Sequence, residues 1–226
     1  MISIIVPTFN EEEVIYEFLY RIKKLKLKNA EIIIVDDSFD STSEIAKKAI
    51  KKLKLNGKVI KRVGKIGKGS AIRDGLKIAK RKYIVIIDAD LQYPVEKIPK
   101  IVEKLKYCDI VVTKRLRKDK FYRKLFGYIF RIFVFFLFGL EFDTQSGMKA
   151  FKREVKEKIE FYSNYWAWDV EFLYKAKKQK FKICSYPIVF SEREKGKSKI
   201  KLSSFIKILI EILKIKFLKY ENQKFA

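Results

Sequence analysis

Short apolar runs alternate along the first half of the chain with longer stretches in which apolar residues recur at every third or fourth position. Residues 2–6, 31–35, 58–63, 83–87 and 110–113 are short and rich in Ile and Val, which predicts strands. Residues 11–25, 41–53, 70–80 and 95–105 carry apolar side chains at helical spacing and predict amphipathic helices between those strands. Strand–helix alternation implies crossover connections and a mainly parallel sheet with helices on both faces, so the expected fold class is α/β.

The pattern changes after a basic segment at 114–124. A strongly aromatic stretch at 121–142 is followed by a mixed region, a second basic segment at 195–201 and an apolar helix predicted over 205–218. No repeat or linker divides the chain, so the expectation is one catalytic domain over 1–202 with a C-terminal amphipathic helix in 203–226. The longest uncharged apolar run, 132–140, lies between Arg131 and Glu141 and falls far short of the ~20 residues that a spanning helix needs. Residues 2–6 follow Met1 without a basic leader, which predicts a strand rather than a signal peptide. In the helix at 205–218, Lys207, Glu211 and Lys214 form a narrow polar stripe on an otherwise apolar surface, which suits an interfacial helix, a dimer contact or packing against the domain.

Composition narrows the chemistry. With 226 residues, 48% of them hydrophobic, the chain can bury a sizeable core, and with no histidine it can hold neither a Ser-His-Asp triad nor a histidine metal ligand. Cys108 and Cys184 lie far apart in apolar, strand-like surroundings, so neither a zinc cage nor a disulfide is expected and a reducing, cytoplasmic setting fits. The formal net charge of +25 favours anionic partners such as lipid headgroups, nucleic acid or phosphorylated metabolites, although lysines spread along every helix also suit a solvated surface.

In open parallel sheets ligands bind beyond the carboxyl ends of the strands, and those ends are polar here. They read Pro7-Thr8-Phe9-Asn10-Glu11, Asp36-Asp37-Ser38, Gly64-Lys65-Ile66-Gly67-Lys68-Gly69 and Asp88-Ala89-Asp90-Leu91-Gln92. Asp88 and Asp90, with Gln92 continuing the series, suit a hard cation, Mg²⁺ or Mn²⁺, that completes its shell with phosphate oxygens. An EF-hand is excluded because Tyr93 and Pro99 stand where its glycine and final glutamate belong, and a Walker loop because Ser70 follows Gly69 without the required Gly-Lys-Ser/Thr. The glycine-lysine loop could meet anionic groups or serve as conformational punctuation. Asp36 and Asp37 suit either a nucleoside or a cap for the helix beginning near Ser41 and Thr42.

Taken together these segments resemble the inverting glycosyltransferases of family 2, with the GT-A fold, and among them the dolichyl-phosphate mannose synthase-like branch. The resemblance also rests on Gly67-Lys68-Gly69-Ser70-Ala71-Ile72-Arg73, Gln145-Ser146-Gly147-Met148-Lys149-Ala150-Phe151 and Arg193-Glu194-Lys195-Gly196-Lys197-Ser198-Lys199. It implies that Pro7, Phe9, Glu11, Asp36, Asp37, Lys68 and Asp88 bind the nucleotide sugar and that Asp88, Asp90 and Gln92 hold the metal. It implies catalytic roles for Asp90, Arg115 and Asp169, with Trp168 and Glu171 beside the last. Arg115, Arg123, Ser146, Lys149, Arg193 and Lys199 would meet an acceptor phosphate; the chain departs from the branch in carrying Thr113-Lys114-Arg115 in place of Gly-Ser-Arg.

The implied reaction moves a hexose, from GDP-mannose first and UDP-glucose second, to a polyprenyl or dolichyl phosphate. A phosphate monoester with its second pKa near ~6 is already an oxyanion, so no general base is required and the lack of histidine is no obstacle. The expected setting is peripheral, on the cytoplasmic face of the cell membrane. Two alternatives are a soluble or glycan acceptor and a basic nucleic-acid-binding protein. The latter leaves Asp88, Asp90 and Gln92 unexplained, so nucleic acid is not the expected partner.

Overall fold

In the computed structural model the described residues are 1–62, 67–116, 121–191 and 202–217, with 121–126 and 202–207 described by backbone alone. The predicted strands appear as β1 (Ile2–Thr8), β2 (Ala30–Asp36), β3 (Gly57–Lys61), β4 (Tyr83–Ile87) and β5 (Ile110–Leu116). Helices α1 (Ile15–Lys24), α2 (Thr42–Lys52), α3 (Lys68–Ile78) and α4 (Ile98–Lys104) connect them. The second half adds α5 (Phe121–Phe138), β6 (Met148–Lys152), α6 (Arg153–Lys158), α7 (Trp168–Lys178), β7 (Ile183–Val189) and α8 (Leu202–Phe217).

All seven strands form one sheet in the order β3-β2-β1-β4-β6-β5-β7. β1 pairs in parallel with β2 and β4, while β6 inserts antiparallel between β4 and β5. Period-two alternation sorts the strand residues between two cores. Ile2, Ile4, Val6, Ile32 and Ile34 point toward the layer that holds Phe18, Leu19 and Ile101, whereas Ile5, Ile33 and Val35 point toward Ile72, Trp168 and Phe172.

Two expectations change. The cysteines are paired: Cys108 and Cys184 form a disulfide with Cα atoms 6.1 Å apart. Their separation of 76 residues is closed because β7 adds beside β5 in parallel, setting Cys184 opposite Val111, three residues from Cys108. The cysteines therefore give no argument for a reducing compartment. The aromatic stretch is helical only as far as Phe138, where Gly139 turns the chain at φ 64°.

The late helices are partly integrated into the domain. Phe130, Val134 and Phe138 of α5 and Ile208 and Ile212 of α8 are buried in the second core. Lys216 lies over the rings of Phe138 and Tyr174, at 5.7 and 5.9 Å, so α8 meets both α5 and α7. Outward the two helices expose Tyr128, Ile129, Phe135 and Phe136, and Ile210, Leu213 and Phe217. No helix among the described residues is long and apolar enough to cross a membrane.

Candidate active site

At the carboxyl end of β2, Asp36 is fully buried and shared among hydroxyls. Oδ1 accepts from Thr8 at 2.7 Å and from Ser38, and Oδ2 accepts from Ser43 at 2.5 Å. These bonds tie the ends of β1 and β2 to the first turn of α2; the backbone N–H of Thr42 is taken instead by Asp40, at 3.0 Å. Phe9 and Phe39 stand above this floor as an edge-to-face pair with centroids 5.9 Å apart, and Phe39 is exposed. Pro7 lies within β1 opposite Val35, and the Glu11 N–H donates to Thr42 Oγ1 at 2.9 Å.

Asp37 forms a two-pronged ion pair with Arg62, through Nε and Nη2, each at 2.6 Å. Arg62 also donates to Ser70 at 2.8 Å and to Asp74 at 3.0 Å, while Asp37 accepts from the Gly67 N–H at 3.2 Å. The start of α3 is thereby fixed to the end of β2. Gly67 has a positive φ of 112°, and a Cβ there would strike the Asn164 carbonyl and the Tyr165 ring, so the close approach and the backbone both require glycine.

Beyond β4, Asp88 binds the Lys68 ammonium at 2.8 and 3.1 Å. Burial alone would lower the Lys68 pKa, but the carboxylates of Asp88 and Asp169 outweigh it and hold the group charged, above the ordinary lysine range. Asp90 is almost fully buried and accepts the Gln92 N–H at 3.2 Å. Leu91 between them has φ 60°, a left-handed turn costing about 1–2 kcal/mol that its side chain offsets by packing in the core. Gln92 donates from Nε2 to the Ser191 carbonyl at 3.1 Å. Across from this turn, a Cβ on Gly147 would overlap Asp88 Oδ2 and press on Tyr93. The Gly147 N–H donates to the Tyr93 hydroxyl at 2.6 Å, and burial pushes that phenol up to about 12.

The third group of charges sits where β5, β6 and α7 meet. Arg115 grips Asp143 with Nε at 2.8 Å and Nη2 at 2.7 Å, and its ring neighbour is Phe190 at 5.6 Å. Burial opposes the charge on Arg115, yet Tyr93 and Asp143 raise its pKa; burial likewise opposes the charge on Asp143, and Arg115 holds it below the usual carboxylate range. Lys149 is fully buried, donates to Asp169 at 2.6 Å and to the Ser146 carbonyl, and burial drives its pKa below the ordinary lysine range despite Asp169. The Ser146 hydroxyl is bonded to Thr113. Glu171 accepts the backbone N–H groups of Tyr162 and Ser163 at 2.9 and 2.8 Å and the Lys175 ammonium at 2.6 Å, which shapes the loop lying over α3.

Lys68, Asp88, Tyr93, Arg115, Asp143, Lys149 and Asp169 act on one another electrostatically and make up one site, with Asp90 beside it in sequence and Asp37 bonded to the start of α3. Arg193 and Lys199 lie outside the described residues, as do 64–66, and Arg123 is placed by its backbone in α5. Arg62 and Asp143 are absent from the residues that the sequence singles out. Arg62 falls within the strand predicted over 58–63, and Asp143 precedes the Gln145–Phe151 motif without a distinguishing neighbour.

Among the described residues no cluster of three Cys, Asp or Glu side chains forms a ready-made metal cage. The donors nonetheless suit a hard cation that reserves most of its shell for phosphate: two carboxylates follow β4, an ammonium already rests on Asp88, and only a glycine at 147 lets the Asp88 carboxylate sit so close to the backbone there. A doubly covered α/β sheet with acidic strand ends beside buried cations has the layout of a GT-A glycosyltransferase.

Residues 3–160 match the family model "Glycosyl transferase family 2". The chain is 34% identical to dolichol-phosphate mannosyltransferase of Pyrococcus furiosus, over 98% of this chain and 65% of that protein, so it spans just under two thirds of that relative. It is 31% identical to dolichyl-phosphate beta-glucosyltransferase of Dictyostelium discoideum, over 96% of this chain and 74% of that one. The structure of Mycobacterium tuberculosis glucosyl-3-phosphoglycerate synthase with Mn²⁺, UDP and glucosyl-3-phosphoglycerate shares the fold, with a TM-score of 0.76 at 19% identity over 95% of this chain and 78% of that one. The chain belongs to glycosyl transferase family 2 and is a glycosyltransferase. The alternative of a non-enzymatic protein is thereby displaced.

Proposed function

We propose that the enzyme transfers a hexose, with inversion, from a nucleoside diphosphate sugar to a prenyl-type lipid phosphate at a membrane surface, with GDP-mannose the first donor and UDP-glucose the second. The observation that carries this reading is the gathering of Lys68, Arg115 and Lys149 around the acidic end of β4, which sets cations for two phosphate groups beside carboxylates for a metal. Relatives named for dolichyl-phosphate mannosyl and glucosyl transfer support the acceptor class.

In this reading Asp37 and the Phe9–Phe39 pair flank the nucleoside, and Lys68 steadies the diphosphate. Mg²⁺ or Mn²⁺ held by Asp88 and Asp90, with Gln92 beside them, would neutralise charge on the departing diphosphate. Arg115, held through Nε and Nη2 by Asp143, turns the Nη1 side of its guanidinium to the acceptor phosphate, with Ser146 just before β6 and Lys149 within it supporting that pocket. An acceptor oxygen forms its bond to the sugar C1 as the bond from C1 to the diphosphate breaks on the opposite face, which inverts the anomeric centre. The nucleophile arrives as an oxyanion, so Asp169 remains paired with Lys149 rather than serving as a base.

The test offers labelled GDP-mannose and UDP-glucose with Mn²⁺ to dolichyl phosphate in one arm and to 3-phosphoglycerate in the other. A lipid-linked hexose of inverted configuration is expected, with Asp90→Ala reducing turnover by ~10²-fold or more. A product from 3-phosphoglycerate alone overturns the lipid acceptor, and full activity in excess EDTA overturns the metal.

A further inference from the structure

A cavity of about 450 Å³ opens at the other end of the sheet, where β1 and β4 begin and β6 ends. At ~3.3 Å per residue, the length of β4 puts roughly 15 Å between it and Asp88. Its walls are the turn Lys80-Arg81-Lys82 and the junction Lys152-Arg153, five cationic side chains against the carboxylates of Glu154 and Glu157.

The two basic segments are locked together. The Arg153 N–H donates to the Lys82 carbonyl at 2.9 Å and its Nη1 to the Lys80 carbonyl at 3.0 Å. Glu31 accepts the Lys80 N–H at 2.8 Å and the Ser3 hydroxyl at 2.6 Å, and that hydroxyl accepts the Arg81 N–H at 3.1 Å. Part of the charge is already matched, since Arg153 pairs with Glu157 at 3.1 Å and Lys152 with Asp109 at 2.8 Å. Glu31 also attracts Arg81, and Lys82 lies 5.4 Å from the centre of the Tyr83 ring, so Lys80, Arg81 and Lys82 stand together on one short turn with only partial compensation, and the Nε–H of Arg81 has no hydrogen-bond acceptor among the described residues. Arg81 is itself partly exposed, so its guanidinium keeps donor capacity that an anion in the cavity can use.

We propose that this cavity is a second anion site, remote from the sugar-transfer centre, for a compact ligand carrying two or more phosphate groups. Three adjacent cations on a fixed turn match a multiply charged anion, the guanidinium fork favours phosphate oxygens, and the volume suits a small molecule. Lys80 and Lys82 are exposed at the rim and supply attraction, while the accessible part of the Arg81 guanidinium supplies the directional bond.

Amide NMR of the full chain, titrated with inorganic pyrophosphate in EDTA and physiological salt, tests this proposal. Shifts are expected at the amides of 80–82 and 152–154. Arg81→Gln should weaken binding there by about tenfold or more, the scale of one lost charge-assisted hydrogen bond. Lys80→Gln with Lys82→Gln, which alters exposed side chains alone, should weaken it as well, while Lys47→Gln with Lys51→Gln on α2 should leave it unchanged. Shifts confined to the residues around Asp88 and Arg115 would overturn the proposal, as would equal weakening by the two lysine pairs, which would reduce the effect to diffuse surface charge.

Discussion

The Asp37–Arg62 pair shows how a single residue can hold the site together and take part in it. Both side chains are about 95% buried and joined by two bonds of 2.6 Å, so removing one partner strands a charge in the interior. Arg62→Met should cost about 3–5 kcal/mol in urea unfolding, and adding Asp37→Asn should return most of that loss by removing the stranded carboxylate. Nucleotide affinity separates scaffold from ligand contact. If Asp37 touches the donor, the double variant regains stability but still binds GDP or UDP weakly by calorimetry; recovery of both would make Asp37 purely structural. Asp143 stands in the same relation to Arg115, since it orients the guanidinium without needing to touch the acceptor itself.

At the scale of the element, β7 is the piece whose attachment governs most. It is an edge strand, held by its ladder to β5 and by the Cys108–Cys184 disulfide. Its far end delivers Phe190 to the face of Arg115 and the Ser191 carbonyl to Gln92. Constraining 76 residues of separation should contribute ~2–4 kcal/mol, mainly by restricting the unfolded chain. Thermal unfolding should therefore shift downward in reductant and in Cys184→Ser by similar amounts, and thiol titration of the native protein should find no reactive cysteine. A midpoint indifferent to reductant, with two titratable thiols, would show that the strand is held by its ladder alone.

The whole molecule presents an apolar face next to strong positive charge. Phe136 is 81% exposed on α5 and Phe217 is 70% exposed on α8, with Arg131, Lys214 and Lys216 exposed near them and a formal charge of +25 overall. Lying flat on an anionic bilayer would cover the rings and bring the cations to headgroups at up to about 1 kcal/mol each. In flotation assays the chain should bind vesicles containing anionic lipid, bind less as salt rises, and lose most binding in Phe136→Glu with Phe217→Glu. Because those side chains face away from the core, the variant should unfold at the native temperature. Equal flotation of both proteins would remove these helices as the membrane contact and strengthen the case for a soluble acceptor.

Local order in the sequence determined a great deal. Near-continuous runs of Ile and Val in 2–6 and 31–35 mark strands buried on both faces, and helical spacing in 11–25 and 41–53 marks the face each helix buries, because side-chain direction follows backbone period without reference to distant residues. The acidic strand ends were equally legible, since a parallel sheet delivers the residues after each strand to one edge. Tertiary structure alone decided that Arg62 closes on Asp37, that Asp143 aims Arg115, and that Lys149, a residue type normally exposed, lies fully buried against Asp169. It also decided the disulfide and the insertion of β6 against the direction of its neighbours. Each of these joins segments about 20 to 80 residues apart, and a pairing of that kind depends on strand order and register, which no window of sequence contains.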